Sequence, residues 1–169
     1  MKKVLAIFVL IMISVSLLSA CGVTSSTGNG ANAVSGKASY GVGETAVCDD
    51  YKITAESLNY VSSSNQFIQP DAGKKFIEVV LLIENTSDSE LNVSSLLNFD
   101  AYLDDMAIDM DIMGQSASEN GTMDGTVASG KKLRGSLCYQ VPENWSKLEV
   151  NVNLDLFSKE EVVLLFENK

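Results

Sequence analysis

The chain has no histidine at all. Ser-His-Asp and Cys-His nucleophile pairs are thereby excluded, and so are metal sites built on imidazole. Proline is almost missing, with only Pro70 and Pro142, and tryptophan occurs once, at Trp145. Positive charge is scarce: 12 lysines and arginines face 22 acids, a formal charge of −10. Such a chain would be repelled by a phosphate backbone, which disfavours nucleic acid as a partner. Between Phe76 and Gly130 there is no lysine or arginine, and between Val4 and Ala20 there is no charge of either sign.

That second gap gives an address. Lys2 and Lys3 precede the apolar run Val4 to Ile13, which continues through small and apolar residues to Ala20. Basic, apolar and small in that order is the layout of a secretory signal. A membrane-spanning helix is the competing reading, and about 17 apolar or small residues stand at its short limit. Leu18-Ser19-Ala20-Cys21 resembles the lipobox of bacterial lipoproteins, in which the cysteine takes acyl chains such as palmitate and becomes the first residue after cleavage. Acyl chains hold at roughly 0.8 kcal/mol per buried methylene, so two anchor where one slips off. The expected organisation is a signal peptide over 1–20, a lipidated Cys21 with a Gly/Ser-rich linker over 21–39, and one domain over 40–169, on the extracytoplasmic face of a bacterial membrane. Loss of Lys2 and Lys3 leaves ten cations against 22 acids. The linker has one charge and no aromatic residue, and a flexible chain of that length reaches roughly 20 to 25 Å.

Within the domain the hydrophobic period is two. Leu148, Val150, Val152, Leu154 and Leu156 alternate with polar residues, as do Leu133, Gly135, Leu137, Tyr139 and Val141 up to Pro142. Ile77, Val79, Leu81 and Ile83 make one face of a further strand, and Phe76, Val80 and Leu82 suggest partial cover on the other. In "YKITAESLNYV" the parity switches after Ala55, which predicts a β-bulge near Glu56-Ser57. Shorter strands are expected at Thr45 to Cys48, Asn98 to Leu103, Met106 to Met110 and Val162 to Phe166, with a short helical turn in "VSSLLNF". Turn residues separate them, as at Asp49-Asp50, Pro70 to Gly73, Asn85 to Ser89 and Ser129-Gly130. Seven or eight short strands in one domain predict an antiparallel β-sandwich.

The segments "QPDAGKKFIEVVLLIENTSD", "LLNFDAYLDD" and "VASGKKLRGSLCYQVPENWSKLEVNV" resemble an immunoglobulin-like domain of unknown function found in bacterial lipoproteins, similar in fold to the immunoprotective extracellular antigen family. The resemblance implies a sandwich on a lipid tether and brings no catalytic residue. Two departures stand out: Cys138 where a larger apolar residue is usual, and Asp104-Asp105-Met106 where a glycine turn is expected.

Few constellations carry chemistry. Ser129-Gly130-Lys131-Lys132 fits S-x-x-K but reads as a turn before a strand, and Gly41 to Ala46 imitates a dinucleotide loop without the strand and helix it needs. Asn85, Asn92, Asn120 and Asn144 open N-x-S/T triplets that a bacterium does not use for glycosylation. Eleven acids fall between Phe76 and Gly130, and Asp104, Asp105, Asp109 and Asp111 are weak candidates for a cation. Asp109, Asp111 and Gly114 stand at positions 1, 3 and 6 of a calcium loop whose other ligands are missing. Met106, Met110, Met113 and Met123 offer thioethers that would suit Cu(I), or only pliable packing. Cys48 and Cys138 form an even pair outside the cytoplasm, so a disulfide between them is expected. The reading that results is a non-enzymatic, lipid-anchored binding or accessory module with no cofactor, acting on an envelope protein or a peptide. Its alternative is an ion-handling lipoprotein using the acidic, Met-rich segment 100–124.

Overall fold

The computed structural model describes residues 38–155 and 161–168. In chain order the elements are β1 (Ser39–Tyr40), β2 (Thr45–Val47), β3 (Tyr51–Val61), β4 (Lys74–Asn85), β5 (Leu91–Val93), β6 (Phe99–Leu103), β7 (Met106–Ile108), α1 (Ile112–Ala117), β8 (Gly125–Val127), β9 (Lys132–Pro142), β10 (Lys147–Val152) and β11 (Val162–Glu167). One sheet has the order β1-β11-β10-β6-β7, the other β2-β3-β4-β9, and β5 and β8 form a two-stranded ribbon. The result is an immunoglobulin-like β-sandwich. Every named pair is antiparallel except β1 with β11, which run parallel.

The alternation in sequence becomes the core directly. Ile77, Val79, Leu81 and Ile83 on β4 are all at most 1% exposed and share one cluster with Leu148, Val150 and Val152 of β10 and Leu164 and Phe166 of β11. Burial of each such side chain stabilises by roughly 1.5 to 3 kcal/mol before entropy is counted. The expected bulge is present: the β3–β4 register shifts between Ala55 and Ser57. The turn in "VSSLLNF" is present too, with the Leu97 and Asn98 N–H groups both donating to the Ser94 carbonyl.

Three strands and the helix escape the alternation. β1, β5 and β8 are only two or three residues long, and β10 stops at Val152 instead of running on to Leu156. The second face of β4 is better covered than its sequence suggests, with Phe76, Glu78 and Val80 all buried. Its cover is α1: a Cβ on Gly114 would stand 3.1 Å from the Phe76 ring and 3.2 Å from Cys138 Cβ.

The same region closes the outer edge of β9. The Asp111 N–H donates to the Cys138 carbonyl, the Ser136 N–H to the Gly121 carbonyl, and Thr122 bridges to Ser136. Gly135 is what lets the chain come so close, because a Cβ there would lie 2.5 Å from the Thr122 carbonyl oxygen.

Candidate functional site

The residues singled out in the sequence scatter. Cys21, with the whole signal and most of the linker, lies outside the described residues. Cys48 and Cys138 are both buried and are not bridged, which overturns the expected disulfide. Cys48 follows β2, at one edge of the four-stranded sheet, while Cys138 is on β9 at the other edge. Three strand spacings separate those edges by about 14 Å, against the roughly 7 Å that a disulfide tolerates between Cα atoms. The faces differ as well, since Cys48 packs in the core between the sheets and Cys138 lies under α1. Burial pushes the Cys138 thiol up to about 12, with Glu78 and Asp111 adding to the rise against a hydrogen bond from Ser136. It is a packing group and a poor nucleophile.

The acids have local duties. Leu103 pairs with Met106 around a two-residue turn in which Asp104 and Asp105 both take positive φ, 48° and 70°. Two aspartates thus fill a hairpin where glycine is expected, and aspartate tolerates that conformation better than most residues. The Asp104 carboxylate accepts from the Ser146 and Lys147 N–H groups, the latter at 2.8 Å, and Asp105 accepts from Lys147 Nζ at 2.6 Å. Asp111 caps α1 by accepting from the Gly114 N–H at 2.7 Å, and it also accepts from Gln140 Nε2. Asp109 stands apart from these, at a cleft beside Met110. Among the described residues no three carboxylate or thiol side chains come together in a way that could hold a metal. The thioethers disperse likewise: Met123 is in the core, Met110 is half-buried, and Met106 and Met113 are exposed on β7 and α1.

The site with the most chemistry is one that the sequence did not announce. A cleft of about 540 Å³ opens along the seam where β3 faces β11, lined by Val42, Leu58, Tyr60, Trp145, Phe166 and Asn168. Its polar wall is fixed by a chain of hydrogen bonds. Trp145 Nε1–H donates to the Tyr60 hydroxyl at 3.0 Å, which donates to Asn168 Oδ1 at 3.3 Å, and Asn168 Nδ2 donates back to the Trp145 carbonyl at 2.8 Å. Lys75 Nζ sits 5.4 Å from the Tyr60 ring centroid and pairs with Glu143 at 3.2 Å. Tyr60 is 52% exposed and Val42 51%, so the cleft shows water an aromatic face and an aliphatic one.

Backbone groups complete it. β2 pairs only with Lys52, Ile53 and Thr54 of β3, and the Gly43 N–H adds one bond to the Ala55 carbonyl. Beyond the bulge, Ser57 to Val61 pair with β4 on one side and, among the described residues, with no backbone on the other. Across the cleft β1 pairs only with Val163 and Leu164, so among the described residues β11 from Leu165 onward has the same open side. The cleft is therefore bordered by open strand edges and walled by aromatic rings. Two signals in the sequence bear on it: the parity switch that puts Tyr60 on the inner face of the sheet, opposite Ile77, and the single tryptophan.

Comparison with known proteins agrees with this architecture. No curated protein matches the chain. Among solved structures, ycdA of Bacillus subtilis, a candidate lipoprotein, superposes with a TM-score of 0.59 at 18% identity over 73% of this chain and 38% of its own. The chain thus spans well under half of that protein. The yjhA protein of Bacillus subtilis gives a TM-score of 0.55 at 18% identity over 76% of this chain and 99% of its own. MPT63, a secreted protein of Mycobacterium tuberculosis, aligns over 80% of this chain at 14% identity with a TM-score of 0.48. Residues 40–162 match a family model, and the chain belongs to the family it describes, Domain of unknown function (DUF4352).

Proposed function

We propose that this chain is a lipid-anchored, extracytoplasmic recognition module without catalytic activity, and that it takes an extended polypeptide of an envelope protein into the cleft between β3 and β11. The observation that carries the reading is the open edge of Ser57 to Val61 beside Tyr60 and Trp145. Unpaired N–H and C=O groups on a strand edge are a template for another strand, and pockets at alternate side chains give such pairing its selectivity. Anchoring through Cys21, a signal over 1–20 and a linker over 21–39 fit the sequence, and likeness to a candidate lipoprotein supports the same address. The non-enzymatic reading rests on the lack of histidine and on the buried Cys138 thiol.

Trp145 makes the test direct, because it is the only tryptophan and it forms a wall of the cleft. The full-length protein in detergent micelles is titrated with a capped Thr-Val-Thr-Val-Thr peptide, following tryptophan fluorescence and amide hydrogen exchange. Saturable quenching with slowed exchange confined to Ser57 to Val61, and weakened by Tyr60→Ala, is the expected result. Binding that leaves those amides unprotected would remove the edge from the function.

A further inference from the structure

The opposite seam of the sandwich, between β6–β7 and β9, carries a second surface that does not depend on the first. A cleft of about 380 Å³ lies there, with Leu96, Tyr102, Met110 and Ile112 among its lining residues and the exposed Asp100 and Asp109 at its rim. Leu96 and Ile112 are each 80% exposed, which is unusual for large aliphatic side chains standing together at one cavity mouth.

Among the described residues the two carboxylates have no cationic partner. Each described cation in an ion pair is engaged elsewhere: Lys52 and Lys132 with Glu84, Lys74 with Asp71, Lys75 with Glu143, Arg134 with Glu56 and Lys147 with Asp105. Asp100 and Asp109 neither pair with a cation nor accept a side-chain hydrogen bond among the described residues, in a stretch from Phe76 to Gly130 that holds no lysine or arginine. An apolar mouth flanked by unneutralised acids selects its own complement, because charge of opposite sign steers the encounter while apolar burial holds the complex.

The geometry points to a docking site for a basic, apolar segment of a partner polypeptide, whose aliphatic or aromatic side chain enters between Leu96 and Ile112 while flanking lysines or arginines meet Asp100 and Asp109. The charge balance favours this occupant over a second copy of the chain, which would bring 22 acids against 12 cations to the same place.

The probe is a capped Lys-Leu-Lys-Phe-Lys-Leu-Lys peptide, titrated calorimetrically into the full-length protein in micelles at fixed ionic strength. One saturable site is expected. Affinity should fall at least tenfold in the Asp100→Asn, Asp109→Asn pair and in the Leu96→Ser, Ile112→Ser pair. It should hold in a distant Asp88→Asn, Glu90→Gln pair and in Tyr60→Ala. All seven positions carry solvent-facing or rim side chains, and a cooperative melt of each variant confirms that the fold is kept. No binding, or equal loss in the distant acid pair, would overturn the proposal, the second by showing diffuse attraction. Equal binding of the peptide with glutamate in place of lysine would overturn the charge argument. Spermine binding with the same dependence on the four residues would assign the site to a small polycation instead of a polypeptide.

Discussion

Asn85 is fully buried at the end of β4, and its side chain uses all its hydrogen-bonding capacity in one place. Nδ2 donates to the Ser89 carbonyl at 2.7 Å and the Val127 carbonyl at 2.8 Å, while Oδ1 accepts from the Ser87 N–H at 2.9 Å and the Ser87 hydroxyl at 2.8 Å. One amide therefore ties the turn after β4 to β8. Asn85→Ala leaves the Val127 carbonyl without it, whereas the Ser87 N–H keeps a bond to the Asp50 carbonyl at 3.1 Å and the Ser89 carbonyl keeps one from the Ser87 hydroxyl at 3.1 Å. One deprived group at roughly 1 to 3 kcal/mol, with about 1 kcal/mol for the bonds lost by groups that keep a second partner, gives a loss of about 2 to 4 kcal/mol. That is a large share of the 5 to 15 kcal/mol typical of a domain. With a urea m-value near 2 kcal/mol/M, the unfolding midpoint should fall by about 1 to 2 M.

Asn85→Asp sharpens the test. The carboxylate keeps the shape and can still accept from Ser87, but it faces two carbonyl oxygens with nothing to donate. Its folded pKa should therefore rise above the unfolded value. The destabilisation is then full above the raised pKa and fades as the pH falls through it, because the protonated acid regains one donor. Equilibrium urea melts of both variants between pH 4 and 7 decide the matter. A loss below about 1 kcal/mol in Asn85→Ala, together with a pH-independent Asn85→Asp, would refute the claim that this amide holds the turn.

Gly135→Ala should cost about 2 to 3 kcal/mol in a denaturant melt, because the new Cβ meets backbone oxygens at 2.5 and 2.8 Å that cannot rotate away; a neutral effect would mean that the Gly121–Met123 segment is loosely held. Burial would raise the Asp124 pKa, but hydrogen bonds from the Ser95 N–H, the Ser95 hydroxyl and Thr122 outweigh it and hold the carboxyl below the ordinary 3.8. Its stabilisation is therefore complete above that value and is lost as the pH falls through the lowered one, so melting curves of wild type and Asp124→Asn should differ at pH 6 and converge in acid. Reductant should leave the melting temperature unchanged, and unfolding without reductant should expose Cys48 and Cys138 as two alkylatable thiols by mass spectrometry; one bridged species would sink the placement of the two strands.

Six of the strands were legible because each is long enough to show period two, β3 even displaying its bulge as a parity switch, and the three-residue β2 and β7 were marked by the turn residues beside them. β1, β5 and β8 are too short for any period. α1 is hidden for a different reason. Six residues that include Gly114 and a serine cannot nucleate a helix alone. The Asp111 cap and docking against Phe76 and Cys138 hold it, and those contacts are tertiary. The mistaken disulfide could have been caught in the sequence. Leu137 and Tyr139 face the core, so Cys138 between them has to point the other way. Tyr60 and Trp145 stand 85 positions apart, and only the closing of the sandwich brings their hydrogen bond about.

The two edges of the four-stranded sheet are treated differently, and this is the fold's main statement about function. An exposed strand edge invites aggregation, so a protein that leaves one open has either failed to protect it or uses it. On the β9 side the chain commits α1 and the segment from Asp111 to Met123, with two backbone bonds, a bridge and a glycine kept bare to admit them. On the β3 side, among the described residues, backbone protection stops at Ala55, and the bulge just beyond it turns the strand into the wall of a cleft. A fold able to cover one edge so thoroughly had the means to cover the other, since β2 would need only a few more residues to reach Val61. Lengthening β2 by that much, with a Thr-Val-Thr insertion between Gly43 and Glu44, should therefore raise stability and abolish the Trp145 response to strand peptides. A protein that gained stability and still quenched on titration would show that the open edge is not where recognition takes place.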